Sequence, residues 1–242
     1  MYRLRSMEHL VTPLAPTVAE LSTDLRAGIA IVQREGFHAV QLAASGPSGV
    51  RPASMSESAR RDLAVTLRRA ELIVAGIDLW IPPDHFRDAA TLDRAMHAVD
   101  AACSLAGELG GCAVCLELPR PLPSDETNQA IHAAAVSHGA RIAVLGPLPE
   151  NAPEEFSACV DPATFLAAGL DPAIAAAQPH AAPRLSDIAA GCRVPPGGEG
   201  GLDVQAYRIA CEIGGQQRPV VADVRAMPSP LYALRVMRSC WT

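Results

Sequence analysis

The stretch Arg218-Pro-Val-Val-Ala-Asp-Val-Arg225 has the pattern of a buried parallel strand that carries an acidic and a basic side chain at its downstream end. An amphipathic run over residues 203–213 precedes it and stops at Gly214-Gly215, and the helix-starting pair Ser229-Pro230 follows it. The order is therefore helix, glycine, apolar strand, polar loop and helix. Repeated along one chain, this unit predicts a parallel sheet whose chemistry gathers at the C-terminal ends of the strands.

Seven further strands are predicted upstream from apolar runs bounded by glycine and polar residues. They cover residues 10–14, 38–42, 72–79, 112–118, 141–145, 156–160 and 184–188. Helical patterns separate them, beginning with a capping box at Thr17-x-x-Glu20 and continuing over residues 57–70, 91–109 and 124–138. Eight strands alternating with helices favour a single (β/α)₈ barrel domain over residues 1–242, with an open doubly wound sheet as the second possibility.

The composition argues against several classes of function. Apolar residues make up 49% of the chain, which indicates a globular protein, and no apolar run reaches the length of about 18 residues that a membrane span needs. The N-terminal residues lack the apolar stretch of a secretory signal, so we expect a cytoplasmic location. All 20 basic residues are arginine, which excludes lysine chemistry. A net charge of -6 without a basic cluster argues against nucleic acid as a partner.

The seven cysteines are expected to be reduced and to pack as small apolar groups. Two of them form the motif Cys112-x-x-Cys115 inside an apolar run. Residues three apart in a strand face opposite sides, and no second cysteine pair or nearby histidine pair completes a zinc site. The sequence therefore favours core packing for both.

Acidic residues near the predicted strand ends are the main functional signal, namely Asp78, Glu117, Asp161, Asp187 and Asp223. In a barrel they converge on one mouth, where carboxylates can hold a divalent cation or transfer protons. Helix capping and ion pairing are the structural alternatives. They are favoured for Asp78 and Glu117, and they weigh equally with a site role for Asp161 and Asp187.

Asp223 differs from the other acids because valines surround it in the predicted strand over residues 218–225. Such a carboxylate either points into the barrel mouth or is buried and paired, and Arg225, two residues further on the same face, is the expected partner. His85 follows the third predicted strand and is expected to face the mouth. The sequence favours a site role for Asp223, with a structural ion pair as the alternative.

Three segments resemble the xylose-isomerase-like TIM barrels, the group of sugar phosphate isomerases and epimerases. They are Val160-Asp-Pro-Ala-Thr-Phe-Leu-Ala-Ala-Gly-Leu-Asp-Pro172, Val194-Pro-Pro-Gly-Gly-Glu-Gly-Gly-Leu-Asp203, and Val220-Val-Ala-Asp-Val-Arg225 followed by Pro228-Ser-Pro-Leu231. The resemblance implies a barrel that binds manganese, zinc or magnesium through a Glu, an Asp, a His and a Glu at successive strand ends. It also implies that a carboxylate moves a proton next to a sugar carbonyl.

Only two of the four implied ligands are present. Asp161 matches the acid of the sixth strand, and Asp223 matches the glutamate of the last strand. Leu145 stands where the fifth strand would carry a glutamate, and Arg184 stands where the seventh would carry a histidine. We therefore expect a degenerate metal site in which the positive charge of Arg184 pairs with Asp161 or Asp223.

The resulting hypothesis is a sugar phosphate isomerase or epimerase homologue that takes a small sugar or sugar phosphate at the barrel mouth, with reduced or lost metal-dependent activity. If it is active, Glu117 and Asp223 are the candidates for proton transfer, and Arg184, Arg225 and His85 are the candidates for substrate binding. Two alternatives stay open. One is a non-catalytic barrel that binds an anionic metabolite or a protein partner, and the other is a metal-independent lyase or epimerase.

Overall fold

The computed structural model describes residues 12–150, 152–214 and 219–242. Its strands are β1 (Leu14–Pro16), β2 (Ala39–Ala43), β3 (Ile73–Leu79), β4 (Ala113–Leu116), β5 (Arg141–Leu145), β6 (Ser157–Val160), β7 (Ala182–Leu185), β8 (Asp187–Ala189), β9 (Cys192–Val194) and β10 (Val220–Ala222). Strands β8 and β9 form a separate antiparallel hairpin, and the other eight form one parallel sheet.

Eight α-helices lie in the described residues, most of them between consecutive strands. They are α1 (Leu25–Arg34), α2 (Glu57–Arg69), α3 (Ala89–Glu108), α4 (Asp125–Ser137), α5 (Pro162–Ala167), α6 (Pro172–Ala176), α7 (Val204–Ile213) and α8 (Pro230–Trp241). Side-chain caps start several of them where the sequence has Ser or Asp, for example Ser124 before α4 and Asp203 before α7. No helix in these parts of the chain is long and apolar enough to span a bilayer.

The strand order shows a nearly closed barrel. Neighbouring strands follow the order β1-β10-β7-β6-β5-β4-β3-β2, and a parallel pairing of Thr17 with Gln41 brings the first and last of these together. The predicted (β/α)₈ barrel is therefore confirmed, and the doubly wound sheet is excluded because its edge strands would lie far apart. The prediction of one domain over residues 1–242 stays a prediction.

Hydrophobic packing divides into an outer layer and a barrel interior. The outer layer, between strands and helices, holds the large side chains, whereas the interior clusters are small residues, namely Ala15, Ala39, Ala75 and Val221 in one and Ala113, Cys115, Ala143 and Cys159 in the other. Cys112 lies in the outer layer and Cys115 in the interior, which confirms that they face opposite sides. The small interior residues leave room for one long side chain near the barrel axis.

The start of the chain differs from the prediction. Residues 10 and 11 lie outside the described residues, and β1 begins at Leu14. The predicted capping box at Thr17 is wrong, because Val18–Glu20 is a single 3-10 turn and α1 starts later, where Asp24 accepts a hydrogen bond from the amide of Ala27 at 2.9 Å. Thr17 instead belongs to the barrel wall, and its hydroxyl accepts from the amide of Val224 at 3.3 Å.

The seventh and eighth strands are shorter than predicted. The seventh ends at Leu185, and Asp187 begins the β8–β9 hairpin, which the sequence pattern did not indicate. The eighth covers Val220–Ala222, and Arg218, with which the predicted strand began, lies outside the described residues. The seventh strand thus contains Arg184, and the eighth ends just before Asp223.

Candidate functional site

The side chain of Arg184 extends from β7 into the barrel interior and lies between two carboxylates. Its Nη1 and Nη2 donate to Oδ1 and Oδ2 of Asp78 at 2.8 and 2.9 Å, and its Nε donates to Oδ2 of Asp223 at 2.8 Å. The Arg184 side chain is fully buried. The small interior residues make this possible, because a guanidinium can reach both carboxylates without displacing a large side chain.

Asp223 is bound by three arginines. Besides Arg184, Nη2 of Arg193 donates to its Oδ2 at 2.8 Å, and Nη2 of Arg225 donates to the same oxygen at 2.6 Å. Burial alone would raise the pKa of Asp223, but the charges of Arg184, Arg225 and Arg193 outweigh burial and hold the pKa well below its usual range. Asp223 therefore stays ionised, and the expected pairing with Arg225 is present.

Asp161 follows β6 and pairs with a different arginine from the one expected. Nη1 of Arg193 donates to its Oδ2 at 2.6 Å, and the hydroxyls of Thr164 and Ser186 also donate to this carboxylate. Of the two partners proposed for Arg184, Asp223 is thus the one it binds. Asp161 precedes α5 but makes no side-chain cap to it.

These residues form one network that we call the Asp–Arg cluster, consisting of Asp78, Asp161, Asp223, Arg184, Arg193 and Arg225. Its three negative and three positive charges cancel. Each carboxylate already accepts from at least one guanidinium, so the donor set does not fit a divalent cation, which needs oxygens that are free of other cations. In the described ranges there is no group of three or more His, Cys, Asp or Glu side chains placed to hold a metal.

A cavity of about 310 Å³ lies beside the Asp–Arg cluster, at the C-terminal ends of β1, β2 and β3. We call it the mouth cavity. Its polar lining includes Glu20, Gln41, Ser45, Asp78 and Arg225, and Trp80 forms one wall. The guanidinium of Arg225 lies 4.2 Å from the centre of the Trp80 ring, which fixes both side chains at the cavity edge.

Gln41 and Glu20 carry oxygens that have no partner among the described residues. Oε1 of Gln41 is fully buried and lies beside Gly76, while Nε2 of the same side chain donates to Asp78 at 2.7 Å. The carboxylate of Glu20 is exposed at the mouth cavity and is available to a ligand there. Partial burial raises the pKa of Glu20, the negative charge of Asp223 adds to the increase, and Arg225 opposes it.

Sequence reasoning missed Glu20 and Arg193 as site residues. Glu20 matched the third position of a capping box, and its place just after the first strand was the available signal that it faces the mouth. Arg193 lies on β9 in the hairpin, which no pattern in the sequence predicted. Asp78, for which a structural role was favoured, joins the Asp–Arg cluster through Arg184.

The remaining predicted site residues lie apart from the mouth cavity. Glu117 is exposed and lines a second cavity of about 600 Å³, together with Arg87 and Arg120. His85 is half-buried in the 3-10 segment Pro83–Phe86. Their proposed roles stay predictions. Leu145 packs against the interior cluster that contains Cys115 and Cys159.

Asp187 has a structural environment. Its carboxylate is fully buried and accepts from the backbone amides of Ile188 at 2.8 Å, Gly201 at 3.0 Å and Leu202 at 3.2 Å. These bonds tie the glycine-rich segment before α7 to the start of the hairpin. Of the two roles weighed for Asp187, this geometry supports local structure.

The nearly closed parallel sheet and the alternating helices match a xylose isomerase-like (β/α)₈ TIM barrel. No protein-family model matches the sequence, and no curated protein is similar to it in sequence. Solved structures with the same architecture include a xylose isomerase-like TIM barrel protein from Mycobacterium smegmatis in complex with magnesium. It is 12% identical, with a TM-score of 0.63 over 96% of this chain and 98% of that one.

The structures of an epimerase-like protein and of a sugar epimerase are similar to the same degree. A D-tagatose 3-epimerase-like protein is 11% identical, with a TM-score of 0.68 over 95% of this chain and 96% of that one. The 3-keto-D-glucoside 4-epimerase of E. coli, in its apo form, is 14% identical, with a TM-score of 0.66 over 95% of this chain and 100% of that one. At such low identity these likenesses establish the fold.

Proposed function

We propose that this chain is a homologue of the sugar isomerases and epimerases that binds a small sugar or sugar phosphate in the mouth cavity, with the metal-dependent reaction lost. Its similarity to a D-tagatose 3-epimerase-like protein and to a 3-keto-D-glucoside 4-epimerase supports the ligand class. The cavity lies at the C-terminal ends of the strands, where barrels of this kind carry their sites. The observation that carries the proposal is the guanidinium of Arg184 between Asp78 and Asp223.

A divalent cation in this cluster would meet three guanidiniums. At an effective dielectric of about 20, a doubly charged ion about 4 Å from one guanidinium is repelled by roughly 8 kcal/mol. Each carboxylate attracts the ion about as strongly as a guanidinium repels it, so the three paired acids give it no net attraction, and every oxygen it took as a ligand would have to give up an arginine. The magnesium of the Mycobacterium smegmatis protein therefore does not carry over to these residues.

The ligand contacts that remain are on the open side of the Asp–Arg cluster. Of the two arginines predicted to bind an anionic group, Arg184 is fully buried and Arg225 lines the cavity. Arg225 uses Nε and Nη2 for Asp223, and its Nη1 donates to none of the described residues. A sugar bound here meets this donor, the Ser45 hydroxyl and the Glu20 carboxylate. The volume suits a small ligand.

The test combines titration calorimetry with thermal melts of the purified protein. We expect a free or phosphorylated hexose to bind and raise the melting temperature equally in EDTA and in manganese, zinc or magnesium. Arg225→Gln should weaken binding about tenfold or more. Arg87→Gln, at the second cavity, is the control and should bind as the wild type does. A stoichiometric metal whose removal lowers the melting temperature would contradict the proposal.

A non-catalytic binding protein is the second candidate. Asp223 favours it, because a carboxylate with a strongly lowered pKa is a poor proton acceptor at neutral pH. Sugar binding without any chemical change of the sugar would support this candidate over an enzyme.

A further inference from the structure

We propose that Glu20 is the proton-transferring group of this barrel and that it exchanges the hydrogen next to the carbonyl of a bound sugar without a metal ion, with Nη1 of Arg225 facing the carbonyl oxygen. The inference rests on the proposed function, because it needs a sugar in the mouth cavity. It assigns the chemistry to the end of β1 instead of to Glu117 or Asp223.

The carboxylate of Glu20 is free to act on a ligand in the mouth cavity. Glu20 is the acidic side chain of the mouth cavity that bonds no arginine, whereas Asp78 accepts from both Arg184 and Gln41. Within the described ranges, the Glu20 carboxylate has no hydrogen-bond or ion-pair partner. A general base must have a free oxygen that can approach the ligand, and Glu20 meets this condition.

Arg225 places a fixed, positively charged hydrogen-bond donor in the same cavity. Arg225 is held by Asp223 on one side and by the Trp80 ring at 4.2 Å on the other, so its position is fixed before a ligand arrives. Its Nη1 remains available to donate to an oxygen on which negative charge develops. A preorganised donor of this kind stabilises an enediolate without moving during the reaction.

The proposed step is balanced without a co-reactant. A Glu20 oxygen takes the proton from the carbon beside the carbonyl, and the electrons of that C–H bond form a carbon–carbon double bond. The carbonyl π electrons move to its oxygen, which becomes the oxyanion facing Arg225. The protonated Glu20 carboxyl group then exchanges its proton for a deuteron of the heavy water. On reversal the oxyanion electrons re-form the carbonyl, the electrons of the carbon–carbon double bond take the deuteron from Glu20, and the original hydrogen is replaced.

The experiment uses the full chain in heavy water with EDTA, and D-fructose, D-tagatose and D-fructose 6-phosphate as probes. Proton NMR follows the loss of the carbon-bound hydrogen next to the carbonyl, and saturation-transfer NMR in the same samples reports binding. We expect exchange by the wild type and a loss of about 100-fold or more in Glu20→Gln, with binding largely retained. Glu20→Asp should restore part of the rate. Glu154→Gln, an exposed glutamate before β6, is the charge-matched control and should exchange as the wild type does.

The two proposals fail in different ways. A probe that binds the wild type without exchange would overturn the role of Glu20 and leave the sugar-binding proposal intact. Undiminished exchange in Glu20→Gln would have the same consequence. If no probe binds, the proposed function fails and the inference fails with it.

Discussion

Replacing Arg184 with methionine tests whether the Asp–Arg cluster holds the barrel mouth together. Methionine keeps much of the volume but removes the donors to Asp78 and Asp223. Asp78 then keeps one donor, Gln41, and Asp223 keeps Arg193 and Arg225. Removing one partner of a buried ion pair destabilises by about 3–5 kcal/mol, because the remaining charge is buried without compensation.

This free energy converts to a measurable shift in melting temperature. An unfolding entropy of about 2.1 cal/mol/K per residue over 242 residues corresponds to about 2 °C for each kcal/mol. Arg184→Met should therefore melt about 6–10 °C below the wild type by calorimetry at pH 7. The double variant Arg184→Met with Asp78→Asn should recover part of the loss, because it removes the carboxylate left with the fewest donors.

The matched control is Arg26→Met. Arg26 pairs with Asp62 at 2.7 Å on the surface, with 73% and 62% of the two side chains exposed. Its melting temperature should change by less than about 2 °C. Equal shifts for Arg184→Met and Arg26→Met would refute the reasoning, and so would a double variant that is no more stable than Arg184→Met alone.

Three further predictions follow from burial and close contact. Because the folded-state pKa of Asp223 is lowered, the ionised carboxylate contributes its full stability above its ordinary pKa of 3.8, and this contribution is lost as the pH falls below that value. The melting temperature of Asp223→Asn should therefore fall less steeply with decreasing pH than that of the wild type. Equal slopes of melting temperature against pH in acid would contradict this. A thiol reagent should rapidly modify the exposed Cys192 in the native protein. Burial raises the pKa of Cys103 to about 12 and should protect that thiol until the protein unfolds. Fast labelling of the native Cys192→Ser variant would count against the structure. Gly200→Ala should lower the free energy of unfolding in urea by about 1–3 kcal/mol, because its new methyl group would lie 2.0 Å from Asp187. The methyl group of Gly198→Ala meets nothing within 4 Å, so this variant should be nearly as stable as the wild type. Equal losses in the two variants would be inconsistent with this packing.

The elements of the barrel were largely predictable because their signals are local. The helices over residues 57–70, 91–109, 124–138 and 203–213 end within one or two residues of the observed ones. Apolar periodicity, Ser and Asp caps and glycine stops act over a few residues, so they can be recognised without the fold. The failures at Thr17 and over residues 184–188 come from tertiary contacts, since Thr17 completes the barrel wall and Asp187 ties down a loop.

The candidate site was predictable in its residue types and only partly in its pairing. The resemblance pointed to Asp161, Asp223 and Arg184, and Arg225 was matched correctly to Asp223 because the two lie on one face of one strand. The partner of Arg184 across the barrel, Asp78, is 106 positions away in sequence, and Arg193 reaches Asp223 from a hairpin 30 positions away. No local pattern relates such residues.

Sequence alone thus established the alternating β/α order, the positions of most elements and the presence of acids and arginines at the strand ends. The barrel geometry assigned each arginine to its carboxylates and left the Glu20 carboxylate, in the mouth cavity, without a partner among the described residues. The physical reason is that charge pairing depends on distances of a few ångströms between groups that are remote along the chain. Those distances exist only after the small interior residues have packed and the ends of β1, β3, β6, β7 and β10 have come together at one mouth.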